Sequence, residues 1–116
     1  MDYTMPMTDF AKYAPAPITE VANLRTDADK VSQFQQVLKD NIHLVTQTPG
    51  CHGARLLSGV ESPGWFILLI GWDSVEAHEG FRASERFSQW RAAISPFFAA
   101  DPVIEHFSDF AFAPAP

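Results

Sequence analysis

The run Trp65-Phe66-Ile67-Leu68-Leu69-Ile70-Gly71-Trp72, followed at once by Asp73-Ser74-Val75-Glu76, decides how this chain folds. The first eight residues are aromatic, branched or leucine, apart from one glycine, and their length suits a strand. It falls far short of the ~18–20 apolar residues that cross a bilayer. Odd and even positions are both apolar, so both faces of the strand need cover. Upstream, Glu61-Ser62-Pro63-Gly64 is a turn signal, and residues 54–60 before it read as a strand. The two strands therefore form an antiparallel hairpin. Downstream, Asp73-Ser74-Val75-Glu76 has the form of a capping box, which opens a helix at 74 or 75.

That helix cannot run straight. Val75, His78, Phe81 and Arg82 share one side, while Phe87, Trp90 and Ile94 cluster on a side rotated by well over ~90° at the α-helical pitch. A break near Ala83-Ser84, with Ser84 as a new N-cap, brings both groups to one face. Pro96 closes the second helix, Asp101-Pro102 turns the chain, and residues 103–107 read as a last strand. In the N-terminal half, Ile18 to Arg25 alternates: Val21 and Asn23 share one face, Ala22 and Leu24 the other. Val31, Phe34, Val37, Leu38, Ile42 and Val45 then step by threes and fours, which predicts an amphipathic helix over 28–47 ended by Pro49-Gly50.

The order is β-α-β-β-α-β, the split βαβ or ferredoxin-like pattern of the α+β class, a four-stranded antiparallel sheet with helices on one face. The helices can shield one side of the apolar strand. The chain has no further strands for the other side, so a second copy is expected there, with two sheets packed face to face in a homodimer. The ordered domain spans 18–109. Residues 1–17, with Met5-Pro6-Met7 and Tyr13-Ala14-Pro15-Ala16-Pro17, read as an extended arm, and 110–116 as a tail whose Phe110 and Phe112 are expected to dock.

Composition narrows the function. Eight basic against fourteen acidic residues give a net charge of −6, and the arginines are scattered, which argues against nucleic-acid binding. No stretch would span a membrane. The first ten residues hold an early Asp and no basic segment, unlike a secretory leader, and a single cysteine, Cys51, forms no internal disulfide; a reducing, cytoplasmic setting is expected. Ten Phe and three Trp suit cores, interfaces or pockets for flat apolar ligands. There is no phosphate-binding loop and no nucleotide or flavin fingerprint. Any oxidation is therefore expected to proceed without a bound organic cofactor, the substrate itself reducing dioxygen as its phenolate or enolate in a dry cavity.

Three stretches resemble a known family: Pro49-Gly50-Cys51-His52-Gly53, Phe66 to Trp72 leading into Asp73-Ser74, and Phe81-Arg82-Ala83-Ser84-Glu85-Arg86-Phe87. Over 18–109 the chain resembles the dimeric α+β barrel superfamily and, within it, the antibiotic biosynthesis monooxygenase-like domain. The family often shows His-x-x-Ser-x-His-Phe. Ser84 and Phe87 match, while Phe81 and Arg86 stand where histidines are common. The resemblance implies a homodimer and a chemistry drawn from a varied set: cofactor-free oxygenation of aromatic polyketides or quinols, polyketide cyclisation, isomerisation, haem degradation, or a stress-related role without catalysis. In the haem-degrading branch, Asn23 matches one functional position, but Phe81 and Arg91 stand near those of the Trp and the iron-ligating His, so the axial ligand is missing.

The candidate chemistry starts at His78. Within an apolar stripe and one turn from Arg82, it could serve as general base to a phenol or enol, with Arg82 depressing its pKa and holding an oxyanion. Alternatively it is a buried, satisfied histidine, with Arg82 paired to Glu79 or Glu105. Asn23 could hold a substrate carbonyl or a developing dioxygen anion, or close a turn. Trp72, Phe81, Phe87 and Trp90 are expected to wall a flat pocket or to fill the core. Asn41, beside Leu38 and Ile42, is a pocket candidate or a buried amide, and His106 is a second acid–base candidate. Cys51-His52 lacks a third ligand, so no metal site is expected, and His43 lies off the helical stripe.

Overall fold

The computed structural model describes residues 16–116, so the expected arm lies, up to residue 15, outside the described residues. Strand β1 (Ile18–Arg25) leads through a single 3₁₀ turn, Ala28–Lys30, into α1 (Val31–Asn41) and the short α2 (His43–Thr46). The hairpin β2 (Cys51–Ser58) and β3 (Trp65–Trp72) follows, then α3 (Val75–Arg82), α4 (Glu85–Ile94), a second 3₁₀ turn and β4 (Val103–Phe107). The sheet is antiparallel throughout, in the order β2-β3-β1-β4. The apolar run therefore lies inside the sheet, between β2 and β1, where both backbone edges are paired.

Two expectations change in detail. The helix over 28–47 is divided into a 3₁₀ turn, α1 and α2. Just before the division, which falls at Ile42, the Asn41 side-chain amide donates to the Val37 carbonyl at 2.8 Å. Strand β2 covers 51–58 rather than 54–60, because a bulge at Cys51/Gly53 lets pairing with β3 continue up to Trp72. The expected break in the last helical segment is present. Ser74 accepts from the Ala77 N–H at the start of α3, and Ser84 accepts from the Phe87 N–H at the start of α4.

Register sorts the side chains. Glu20, Ala22 and Leu24 of β1 and Phe66, Leu68, Ile70 and Trp72 of β3 face the helices and are buried. Phe34 and Leu38 of α1, Val45 of α2, Phe81 of α3, and Trp90 and Ile94 of α4 complete that core. Phe34 meets Phe66 edge-on at 5.1 Å and stacks on Phe97 at 5.4 Å. The opposite face carries Val21 and Asn23, Trp65, Ile67 and Leu69, Leu57 of β2, and Val103 and Phe107 of β4. Leu57, Trp65, Val103 and Phe107 are exposed there, Val103 to 64%. In the C-terminal tail Phe110 is fully exposed, so the expected docking of that ring is not seen among the described residues.

Candidate functional site

A cavity of about 290 Å³ lies between the helix-facing side of the sheet and α3 and α4. Its floor is Ala22, Leu24, Leu68 and Ile70, and its far walls are Phe81, Phe87, Trp90 and Ile94. The break at Ala83-Ser84 makes this enclosure possible. It lets α3 turn Phe81 inward and α4 turn Phe87 and Trp90 inward, so two short helices roof one space. Arg82, Arg91, Asp101 and Ile104 complete the lining toward the β4 edge. The volume stands at the lower end of the range for small-molecule sites.

One corner of this apolar space is polar. Glu20, on the central strand β1, is only 4% exposed, and His78 of α3 is 3% exposed. Nε2 of His78 lies 3.2 Å from Oε1 of Glu20. The indole N–H of Trp72 donates to the same oxygen at 2.9 Å. Nδ1 of His78 lies 2.8 Å from Nε2 of His106, which β4 places directly opposite Glu20 in the ladder. Trp72 stacks on the His78 ring with centroids 5.1 Å apart. Three strands and one helix thus converge on a Trp-Glu-His-His cluster in which Oε1 of Glu20 and Nδ1 of His78 are partnered.

Burial and neighbouring charge set the titration of this cluster. His78 is lowered to about 4, chiefly because burial disfavours the imidazolium, with His106 and Arg82 adding repulsion. It is therefore neutral at physiological pH. Glu20 is raised above the ordinary carboxylate value by burial, against the opposing pull of the Trp72 N–H and the Arg82 guanidinium. The thiol of Cys51 is raised, again mainly by burial, so it is a poor nucleophile.

The structure brings together His78, Arg82, Phe81, Phe87 and Trp90 at the cavity, with His106 and Trp72 attached through the polar cluster. Trp72 is wholly buried behind the lining and contributes its N–H inward. Neither Glu79 nor Glu105 pairs with Arg82: among the described residues it makes no ion pair, and its guanidinium lies 6.0 Å from the Phe87 ring. Asn23 is not brought to this site. The alternation of β1 turns it to the opposite face, where its Oδ1 accepts from the Trp65 indole at 2.8 Å. Asn41 is absent from the cavity because its amide is spent on Val37. Nor do Cys51 and His52 act together, since His52 pairs with Asp73. Among the described residues no group of three or more His, Cys, Asp or Glu could hold a metal.

Glu20 is the site residue that sequence reading missed. The signal was present: a carboxylate in phase with Ala22 and Leu24, on the buried face of its strand, demands a partner.

Comparison with known proteins agrees with this architecture. The family model for antibiotic biosynthesis monooxygenase matches residues 17–93, well over half of the chain. The chain belongs to the antibiotic biosynthesis monooxygenase family. The matched region takes in β1, the hairpin, α3 and most of α4, and so most of the cavity. A family structure from Bordetella bronchiseptica, provisionally assigned as an antibiotic biosynthesis monooxygenase, is 27% identical with a TM-score of 0.77, covering 81% of this chain and 97% of its own. One from Caulobacter crescentus, with the same provisional assignment, is 25% identical with a TM-score of 0.71, over 90% of this chain and 99% of its own. The uncharacterized protein YczJ of Bacillus subtilis is 27% identical over 93 residues, 79% of this chain and 98% of its own.

Proposed function

We propose that this chain is a small homodimeric enzyme that removes a proton from a flat, apolar substrate of the aromatic polyketide or quinol type, without a bound organic cofactor. Oxygenation of the resulting anion follows, with ring closure or isomerisation as the alternative outcome of the same first step. The observation that carries this reading is the placement of Glu20 and His78, 3.2 Å apart and backed by the His106 bond to His78, in the wall of a largely apolar cavity of about 290 Å³. Apolar walls favour a flat hydrophobic body and exclude water, while the polar corner provides a proton acceptor. Arg82 and Arg91 stand where the negative charge of an enolate or phenolate would need offsetting. The homodimer is proposed from the sheet: its helix-free face bears Ile67, Leu69, Leu57, Val103 and Phe107, apolar residues interspersed with Asn23, Arg55 and Glu105, a surface suited to an equal one on a second copy.

Anthrone and a naphthoquinol are suitable probes. For anthrone, the ring methylene becomes a carbonyl, one atom of dioxygen entering the product and the other leaving as water. The expected result is uptake of one dioxygen per anthrone consumed, with saturation kinetics and a rate above that in buffer. A ligand-dependent rise in Tm without any product would show a binding protein instead.

A further inference from the structure

His78 presents no free nitrogen to a ligand. Oε1 of Glu20 accepts from the Trp72 indole and lies 3.2 Å from Nε2 of His78. A carboxylate oxygen is an acceptor, so the hydrogen of neutral His78 belongs on Nε2. Its Nδ1 is then the acceptor of the 2.8 Å bond from the Nε2–H of His106. Nδ1 is thus committed to His106, and Nε2 is turned to one oxygen of Glu20 at 3.2 Å.

The other oxygen of that carboxyl is different. Oε2 has no hydrogen-bond partner among the described residues, although Glu20 is 4% exposed and lines the cavity. It is not sealed off either, because the one fully enclosed, unpartnered side-chain polar atom among those residues is Oγ1 of Thr26. An unpartnered carboxylate oxygen open to an apolar cavity is poorly solvated, which makes it a strong proton acceptor for whatever occupies that space.

We propose that Oε2 of Glu20 is the atom that takes the substrate's proton, and that His78 and His106 are positioning residues that hold the carboxylate by its opposite oxygen. This rests on the reading of the cavity as a site of deprotonation. In the step, the substrate C–H or O–H bond breaks, its electron pair stays on the substrate as an enolate or phenolate, and a new O–H bond forms on Glu20. The negative charge moves from the carboxyl toward Arg82 and Arg91. The ionisable groups facing Glu20 are His78 and Arg82 from α3, His106 from β4, the Cys51 thiol from β2, and, across the cavity, Arg91 from α4 and Asp101 from the loop before β4. His78 stays neutral down to about pH 4, so the donor chain is intact over the working range.

The test is deuterium exchange at the anthrone methylene, followed by proton NMR under argon so that oxygenation does not compete. Glu20→Gln keeps the shape and an oxygen for the Trp72 and His78 donors, so it should bind anthrone as the unmodified protein does, by quenching of tryptophan fluorescence. Its exchange should fall by about 100-fold or more, the usual worth of a general base. His106→Leu should move the acid limb of the pH–rate profile to higher pH, because His78 no longer has its tautomer fixed toward Glu20. His106→Gln, whose amide can donate to Nδ1, should restore it. If Glu20→Gln exchanges at the unmodified rate, the assignment of Glu20 falls while the enzyme reading stands. If the unmodified protein binds anthrone and leaves exchange at the buffer rate, the enzyme reading falls and takes the assignment with it. Should Glu20→Gln fail to fold, an acid limb unmoved in His106→Leu overturns the proposal.

Discussion

Replacing Trp72 by Phe separates packing from electrostatics in the polar cluster. The indole is wholly buried, stacks on His78 and donates to Glu20 at 2.9 Å. Phenylalanine keeps an aromatic ring but removes the donor and part of the volume. The lost packing costs about 1 kcal/mol at any pH. The lost bond to an ionised carboxylate costs a further ~1.5–3 kcal/mol, and only while Glu20 is charged. The sign follows from linkage. Burial raises Glu20 above 4.5 in the folded protein, so the native state holds its proton to higher pH than the unfolded chain does. Stability therefore falls as pH rises from the unfolded value through the raised one. Without the Trp72 donor the folded pKa rises further, so the variant keeps falling over a wider range. Below both folded values the deficit is the packing alone. Above them it reaches roughly 2.5–4 kcal/mol, the sum of the two parts. His78 contributes the opposite slope, losing stability as pH falls from 6.5 toward about 4, and to first order this cancels between the two proteins. Urea unfolding of both proteins at steps between about pH 5 and about pH 8, where stability is commonly near its maximum, reads the difference. A deficit that is equal at both ends would refute ionised Glu20 as the acceptor of the Trp72 bond.

Leu69→Lys places a charge in the middle of the helix-free sheet face, and light scattering should then give a single species near 12.9 kDa in place of a dimer. A dimer that persists would show that this face is not the interface. Gly64→Ala should lower stability by about 2 kcal/mol or more in thermal unfolding, because Gly64 has φ of +93° and an added Cβ would sit 2.4 Å from the Thr26 carbonyl oxygen. An unchanged Tm would mean that the turn adjusts freely.

Patterning made most of the fold legible because each element declares its period. The hairpin, the capped helices α3 and α4 and the break between them follow from alternation, a turn signal and two serines, all local. The division of the first helix was not legible from periodicity, because its apolar stripe continues across Ile42, where the backbone tightens into a Val45 N–H to Ile42 carbonyl bond. The bulge that lengthens β2 depends on pairing with β3, which no local pattern contains. His78, Arg82, Phe81, Phe87 and Trp90 line the cavity because all five lie on helices whose inward side the apolar stripe marks. Asn23 does not line it, because its strand phase turns it to the face with Val21.

The absence of Asn23 from the cavity and the omission of Glu20 have one cause. On β1, neighbours at odd and even positions belong to different worlds, one to the cavity and one to the surface proposed for a second copy. The phase is fixed by register: Glu20 opposes Ile70 on one side and His106 on the other, so the carboxyl and the imidazole must share the helix-facing side. A slip of one residue would exchange Glu20 for a neighbour and send the carboxylate to the opposite face. The apolar alternation of Ala22 and Leu24 opposes that slip, since it would expose them as well. The groups that anchor the sheet thus also determine which polar side chain meets the cavity. Their packing stabilises the register, and the register places the cluster.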